Sequence, residues 1–524
     1  MSFRYSLTWL HTWSGLLLGW LLYFMFITGS AGYFDSEIDR WMQPEIPILE
    51  KPFDTETQLQ KAQAHLNRVP PNADHLYIEF PVGRSPFFSL WWHNPKNTNS
   101  EDTPGWHNEK LNPNTAEPVI TRHTEGGEFL YRLHYTLHYI PAKLGYWITS
   151  LAAMFMLVAL ISGIIIHKRI FKDFFTIRRK KPQRFWLDTH NLFSVLALPF
   201  HIMITYSGLM LLMLSTMIAV PAALFGADEE KLKSLYDSVF SEPEHREPAG
   251  IQAEGAPLIS VFEKALKQIN QHYPKSSIAY IGIDHPGDKH ASIEFGATEP
   301  QGLKPYTQLH FDAATAEQYF PEESNSKPSA ILDFYFVMEA LHEGLFAPPI
   351  LRWLYFLSGL MGAAMVASGT ILWATKRKEK HNKSQENTRA LTWVECLNIG
   401  TIVGLPIAIA AYFWANRLLP VELETRATWE MHSLFLVWLL ALLHPFLLCN
   451  KVPAERLWIQ QLIFATCAFG FIPVLNALTT NIHLGNSVAH GDWVLAGFDV
   501  FMMVMAFAFF ALAKRIHATQ DRKQ

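Results

Sequence analysis

Histidines recur at matched positions beside two apolar segments of the 524-residue chain. His11 stands 18 residues before Gly29, and His190 stands 18 residues before Gly208. Ionisable side chains in a membrane are costly and usually mark function. Neutral imidazole is also a natural axial ligand of haem iron, and two such ligands are typical of an electron-transfer site. The matched spacing therefore predicts a pair of metal ligands.

A second matched pair, His134 in LHYTL and His342 in LHEGL, follows the two segments. Three further histidines compete with these pairs. His138 lies one helical turn after His134, and His167 is the last residue of the apolar segment 146–167. His201 lies three helical turns after His190. A continuous helix would place it about 16 Å deeper on nearly the same helical face. The alternative for every one is structural, because polar residues near span ends reach to the interface.

Eight apolar segments are long enough to cross a bilayer, which requires about 20 residues. They cover residues 10–30, 146–167, 189–215, 351–374, 395–416, 430–449, 458–479 and 493–513. The first is too long for a signal peptide, so we expect it to remain as a span. The chain is predicted to be a polytopic membrane protein that is embedded in the lipid bilayer.

Basic residues are concentrated in the loops 168–187 and 376–391. Lys and Arg near short loops stay in the cytoplasm, so both termini are predicted to be cytoplasmic. The polar blocks 33–145 and 216–350 then lie outside. This orientation places His11 and His190 at the inner ends of their spans, and the second pair at the outer side.

Each external block has the pattern of a small α+β unit. The first predicts a helix over 57–68, strands over 75–80 and 87–93, and a turn at 112–114; the second predicts a helix over 258–272 and strands over 277–283, 291–295 and 308–311. The tripeptide TAE occurs at 115–117 and again at 315–317. The offsets of 179, 200 and 208 residues between matched features predict a parallel duplication with small insertions.

The predicted fold is a mainly α membrane protein, an eight-helix bundle with two extracytoplasmic α+β units between helices 1–2 and 3–4. The predicted domains are span one at 1–32, the first external unit at 33–145, spans two and three at 146–215, the second external unit at 216–350, span four at 351–380 and a four-span appendix at 390–524.

The sequence lacks the motifs of several common cofactor sites. Cys396, Cys449 and Cys467 all lie in or beside late spans, and no CxxC or CxxCH motif occurs, which argues against an iron–sulfur cluster and covalent haem. No GxGxxG follows a strand and no GxxxxGK[ST] occurs, so we expect no NAD, flavin or ATP site. The formal charge of -4 gives no reason to expect a nucleic-acid partner. An electron donor would be a separate flavoprotein, a soluble reductant or membrane quinol.

The chain resembles the PepSY-associated transmembrane family over about residues 1–380. The resemblance is carried by His11 with its following glycine, Leu133-His134, His190 with Pro199 and Gly208, Leu341-His342-Glu343-Gly344, and the matched span ends Ser162-Gly163 and Ser368-Gly369. It implies PepSY-type external units and a bacterial inner-membrane protein of iron acquisition. Some relatives are haem-containing ferric-siderophore reductases.

We therefore predict a haem-dependent transmembrane reductase with two b-type haems, acting on a ferric siderophore or another ferric complex outside. His11 with His190 and His134 with His342 are the preferred iron ligands, and His201, His167 and His138 are their rivals. The catalytic residues are not identified. Arg132, Arg352 and Arg184 lie near the proposed sites, although solvated anchors are the simpler interpretation.

Two other functions stay open. The eight-helix body could belong to a siderophore or iron transporter, or to an accessory of one, since the last four spans lie outside the family resemblance. The external blocks could instead bind a peptide or a protease, as PepSY units resemble protease propeptides, and the histidines would then be structural.

Overall fold

The computed structural model describes residues 3–49, 53–66, 73–95, 105–167, 170–179, 181–216, 246–303, 306–320, 330–384 and 389–521. Residues 67–68 of the first predicted external helix, 168–169 of the basic loop and 217–245 of the second external block lie outside this range. The chain divides into two compact units. The helical unit comprises Met1–Pro44, Arg122–Thr216 and Pro349–Gln524, and the sheet unit comprises Glu45–Thr121 and Met217–Pro348.

The described chain is mainly helical, with one sheet. Its elements in chain order are α1 (Phe3–Gly32), α2 (Asp35–Met42), α3 (Thr55–Leu66), β1 (His75–Glu79), β2 (Phe88–Asn94), β3 (Gly105–Leu111), β4 (Pro118–Val119), α4 (Gly126–Thr136), α5 (Ala142–Ile166), α6 (Ile170–Asp173), α7 (Pro182–Leu196), α8 (Leu198–Leu211), α9 (Met213–Thr216), α10 (Leu258–His272), β5 (Ser277–Asp284), β6 (Ser292–Thr298), β7 (Thr307–Asp312), β8 (Gln318–Phe320), α11 (Ala330–Glu343), α12 (Pro349–Ser384), α13 (Arg389–Ile402), α14 (Gly404–Leu418), α15 (Arg426–Leu448), α16 (Ala454–Gly470), α17 (Ile472–Thr479), α18 (Leu484–Ala489) and α19 (Trp493–Asp521).

In the described part of the chain, seven helical stretches are long and apolar enough to cross a membrane. An eighth span is obtained if α7 and α8, which bend by 67° at Ala197, are counted together. Pro199 explains the break, because proline lacks the N–H of a helix interior and its ring collides with the carbonyl four residues earlier. The chain is therefore a multi-pass membrane protein. The straight helix assumed between His190 and His201 is wrong, and these two residues do not share one continuous helical face.

The last four spans are part of the helical core. The span formed by α13 and α14 is the most buried of all, and α13 packs against both α1 and α12. Tyr23 of α1 donates a hydrogen bond to the carbonyl of Ile402 (2.8 Å), and Trp20 donates one to Asn398 (3.0 Å). The described residues of the segment 390–524, which is expected as an appendix, thus share one interior with the duplicated part of the helical unit.

The sheet unit contains one antiparallel sheet of eight strands in the order β4-β3-β2-β1-β5-β6-β7-β8. The sequence predicts two separate external units. The structure joins them, because β1 pairs with β5 from His75 opposite Asp284 to Glu79 opposite Tyr280. The helices α3 and α10 share one apolar core with the sheet, represented by Leu59 and Phe262.

The two TAE turns have the same backbone. Ala116 and Ala316 adopt φ values of 63° and 57°, and each donates its N–H to the residue four positions earlier, Asn112 (2.8 Å) or Asp312 (2.9 Å). A positive φ is uncommon for a residue with a Cβ atom. An unfavourable conformation kept at both positions supports the duplication that the offsets predict.

Candidate functional site

His11 of α1 and His190 of α7 face each other within the helical unit. Their ring centroids lie 6.2 Å apart and their planes cross at 75°. Both side chains are half-buried. The pairing predicted from the matched spacing to Gly29 and Gly208 is therefore present in the structure, although the resemblance to a haem site stays a prediction.

Each ring accepts support from a neighbouring helix, because its Nδ1–H donates a hydrogen bond to a backbone carbonyl group there. Nδ1 of His11 donates to the carbonyl of Ala159 on α5 (2.9 Å), and Nδ1 of His190 donates to the carbonyl of Met365 on α12 (2.8 Å). A carbonyl only accepts, so Nδ1 carries the proton and the lone pair lies on Nε2. This is the usual arrangement behind a metal-binding imidazole.

Two glycines allow these rings to approach the neighbouring helices closely. A Cβ atom added at Gly163 would meet Cε1 of His11 at 3.3 Å, and one added at Gly369 would meet Cε1 and Nδ1 of His190 at 3.2 Å. Each histidine of the pair therefore faces a glycine at the equivalent position of the duplication.

The separation of the two rings fits one shared metal ion. An imidazole nitrogen binds a transition metal at about 2.0–2.1 Å and lies roughly 1 Å from its ring centre, so rings sharing a metal have centroids about 6 Å apart. Among the described residues, no three His, Cys, Asp or Glu side chains form a metal-binding group. Two imidazoles suit a haem, whose porphyrin supplies the remaining ligands.

His201 of α8 is the second exceptional histidine. Its side chain is fully buried, with aromatic neighbours Phe26 and Phe200 at centroid distances of 5.8 and 6.1 Å. Neither ring nitrogen makes a hydrogen bond of ordinary geometry within the described residues, although the backbone of Ser358 lies near. Buried polar groups nearly always have a partner. A bound ligand would supply one here.

His134 lies in α4, and its side chain is half-buried. Its Nδ1 donates to the carbonyl of Tyr131, and its ring covers Gly29, where an added Cβ would meet Cγ at 3.3 Å. Burial lowers the pKa of His134 to about 4, although the Tyr131 carbonyl opposes this shift. The imidazole is thus neutral at pH 7, as a ligand must be. Its predicted partner His342 ends α11 in the sheet unit and is half-buried; their pairing stays a prediction.

The two remaining rivals have other contacts. His138 stacks on Phe435 at a centroid distance of 5.4 Å. His167 is the C-cap residue that follows α5, and its Nε2 lies 3.3 Å from the side-chain nitrogen of Asn191. Since the amide N–H donates to that nitrogen, its lone pair is occupied in this conformation, which weakens His167 as a ligand.

Arg352, expected to be a solvated anchor, is largely buried and pairs with Glu37 at 2.7 Å. Arg132 is more exposed and pairs with Glu125. Arg184 is exposed, as an anchor would be. Burial of Arg352 was not predictable from its place beside a span.

Residues 8–376 match the model of the PepSY-associated TM region. The chain belongs to this family. It is also similar to protein PA4219 of Pseudomonas aeruginosa, described as uncharacterized, with 24% identity over 344 residues. That match covers 63% of this chain and 82% of the relative.

The region that matches the family model ends at residue 376, before α13 begins. A buried ionic network nevertheless connects the later helices to this region. Glu430 and Arg426 of α15 form an ion pair with both side chains fully buried. Glu430 accepts further hydrogen bonds from Asn416 (2.9 Å) and Thr124 (2.5 Å). Arg122 donates to the carbonyl of Asn416 (2.7 Å). The sequence shows these charges only as residues near span ends, so the network is not predictable from it.

A histidine cluster that sequence reasoning missed lies where β1 meets β5. His75 and His285 have centroids 5.9 Å apart, and His75 and His93 lie 6.1 Å apart. Asp284 and Asp74 each accept a hydrogen bond from a ring Nδ1, of His75 and His93 respectively (both 2.7 Å). The cluster depends on joining the two halves of the sheet, for which the sequence offers no signal.

Proposed function

We propose that this chain is an inner-membrane haem b oxidoreductase that passes electrons across the membrane and reduces a ferric complex, of the ferric-siderophore class, on the periplasmic side. The observation that carries the proposal is the His11–His190 pair. The two rings are held at a metal-sharing distance by equivalent carbonyl hydrogen bonds.

The chain's residues suit the support of a low-spin haem. His11 and His190 would hold one group between α1 and α7, and their Nδ1–H bonds fix the rings and raise the basicity of Nε2. A second group would be held by His134 or by His201, which is buried without a partner of ordinary geometry among the described residues. The haem would supply one-electron chemistry. The polarity of the protein around the haem would help to set its potential.

The proposal is tested by counting haems in the purified protein. We expect about two b-type haems per chain by pyridine extraction, and reduction of a ferric siderophore on addition of a reductant. His11→Ala and His190→Ala should each lose one haem. His444→Ala is the matched control, since His444 lies on α15 and bonds to Gln460 (3.1 Å); it should keep both.

The second site is resolved by comparing two further variants. Loss of one haem in His134→Ala but not in His201→Ala would favour His134, and the reverse would favour His201. A protein that stays colourless when haem is supplied during expression, or that keeps every haem in all four variants, would contradict the assignment. Siderophore uptake by proteoliposomes without any reductant would favour a transporter instead.

A further inference from the structure

A cavity of about 540 Å³ lies within the helical unit, between the duplicated part and the C-terminal helices. Its walls come from α1, α2 and α12 on one side and from α14, α16 and α19 on the other. Ligand pockets are typically 300–1,000 Å³, mostly apolar, with a few polar groups that orient the ligand. This cavity has that size and character.

Aromatic side chains make up eight of the 22 lining residues, among them Phe34, Trp353, Phe356, Phe498 and Phe501. Trp353 and Phe356 pack edge to face at a centroid distance of 5.6 Å. Flat aromatic surfaces stack favourably on another flat ring. The lining therefore suits a planar ring attached to an apolar body.

The charged groups in the lining are Glu37 and Arg352, which pair with each other at 2.7 Å. Their side chains are 21% and 11% exposed. Because the guanidinium is already matched by a carboxylate, the pair has no surplus positive charge. A phosphate headgroup would need such a surplus. The hydroxyl of an uncharged quinol head can accept a hydrogen bond from the guanidinium and donate one to the carboxylate, whereas a quinone carbonyl can accept only from the guanidinium.

We infer that this cavity binds an isoprenoid quinone, with its ring among the aromatic side chains and its oxygens at the Glu37–Arg352 pair. The remaining wall, including Met502 and Met505 of α19, accommodates the apolar tail. Methionine side chains adapt to irregular apolar shapes.

The cavity adjoins one of the proposed haem ligands. Leu130 lines it and stands one helical turn before His134 on α4. Ile27 also lines it, and Gly29 contacts the ring of His134. A quinol bound here would be the electron donor, a role that rests on the proposed function. Its oxidation to quinone releases two electrons and two protons, and the electrons reduce two ferric ions of the acceptor to ferrous ions.

Gly497 of α19 offers a way to fill the cavity. It lines the wall, and a Cβ atom added to it would meet no atom within 4 Å. A phenylalanine at this position would occupy the space intended for the ligand. Val504 on the same helix is 56% exposed and is absent from the cavity wall, so Val504→Phe is the matched control.

The test is the quinone and phospholipid content of the full chain purified in detergent, with decyl-ubiquinone added as probe. We expect close to one quinone per chain in the unaltered protein and in Val504→Phe, and at least a tenfold loss in Gly497→Phe. Glu37→Gln should weaken binding of the reduced probe, decyl-ubiquinol, severalfold without emptying the cavity, because the quinol hydroxyl loses a charge-assisted hydrogen bond to the carboxylate.

Equal quinone content in Gly497→Phe and the control would overturn the site. Recovery of a phospholipid instead, lost in Gly497→Phe alone, would overturn the choice of ligand. Haem is counted in the same samples, so a protein that binds quinone but no haem would keep this inference and contradict the proposed function. A haem protein that binds no quinone would do the reverse.

Discussion

Gly369 determines how closely the ring of His190 can lie against α12. The ring donates to the carbonyl of Met365 one turn earlier on the same helix, and Cε1 lies 3.2 Å from the position of a missing Cβ atom. The same relation holds between His11 and Gly163. At the residue scale, both halves of the duplication thus contain the same histidine-to-carbonyl hydrogen bond and a glycine that leaves room for the ring.

The variant Gly369→Ala tests this relation under the proposed function. The added methyl group must push the imidazole by a few tenths of an ångström, which weakens the bond to Met365. Changes in such supporting contacts typically cost about 10–100-fold in metal affinity. We expect haem to transfer to excess apomyoglobin at least about tenfold faster. Gly497→Ala, whose added Cβ meets nothing within 4 Å, should leave that rate unchanged; an equal rate in both variants would count against the arrangement.

His310 gives the sheet unit a pH dependence. Its side chain is 6% exposed on β7, between Tyr319 and Phe320, and its Nε2 has no hydrogen-bond partner within the described chain. Burial lowers its pKa from 6.5 to about 4, although Asp284 opposes the shift. The unfolded chain therefore takes up a proton first, and stability present above pH 6.5 is lost as the pH falls toward 4.

At pH 5 the loss attributable to His310 is about 2 kcal/mol. Thermal unfolding of the sheet unit, followed by hydrogen exchange or tryptophan fluorescence at pH 7.5 and pH 5, measures it. His310→Leu should show a smaller drop between these pH values than the unaltered protein. A drop of the same size in both would show that other groups cause it. His272→Leu, on the exposed end of α10, is the control.

At the scale of elements, α14 and α15 are fixed by buried charge rather than by apolar packing alone. Arg426 and Glu430 lie one turn apart on α15 with both side chains fully buried, and Asn416 of α14 bonds to the carboxylate. Buried ion pairs add little net stability, but removing one partner leaves a buried charge without compensation. Thr124 ties the same carboxylate to the loop before α4.

Glu430→Ala should therefore destabilise the helical unit by about 3–5 kcal/mol, seen as a lower unfolding temperature in detergent. The double variant Arg426→Met with Glu430→Leu should recover most of this loss, because no charge is then left alone. Glu395→Ala removes a partly exposed pair with Lys378 (3.2 Å) and should cost less than about 1 kcal/mol. A double variant as unstable as Glu430→Ala would contradict the charge argument.

Elements with a local signature were predictable from the sequence. The long apolar runs predict spans such as α1 and α5, and the matched histidines predict the His11–His190 pair. The bend at Ala197 was not included in the prediction, although Pro199 is its visible cause. The place of α13 and α14 in the core, and the ion pair of α15, depend on contacts between distant segments. No periodicity in the sequence carries that information.

At the scale of the whole molecule, the duplication is expressed differently in the two units. In the helical unit, equivalent histidines meet across the pair of α1 and α7. In the sheet unit, equivalent strands pair at the centre of one sheet. The strand patterns predicted β1, β2, β5, β6 and β7, but an alternating pattern does not say which edge a strand will use. Joining the halves was therefore beyond sequence reasoning, and so were the histidine cluster and the cavity.

The pairing of β1 with β5 has a consequence for synthesis of the chain. About 200 residues separate Glu79 from Ser277, and the helices α5, α7 and α8 lie between them. At about 5–20 residues per second, the first half-sheet waits roughly 10–40 s for its partner strand. During that interval β1 is an open edge that can pair with a wrong chain. We expect the nascent protein to need a chaperone, on the side of the membrane where the sheet unit folds, until β5 has been synthesised.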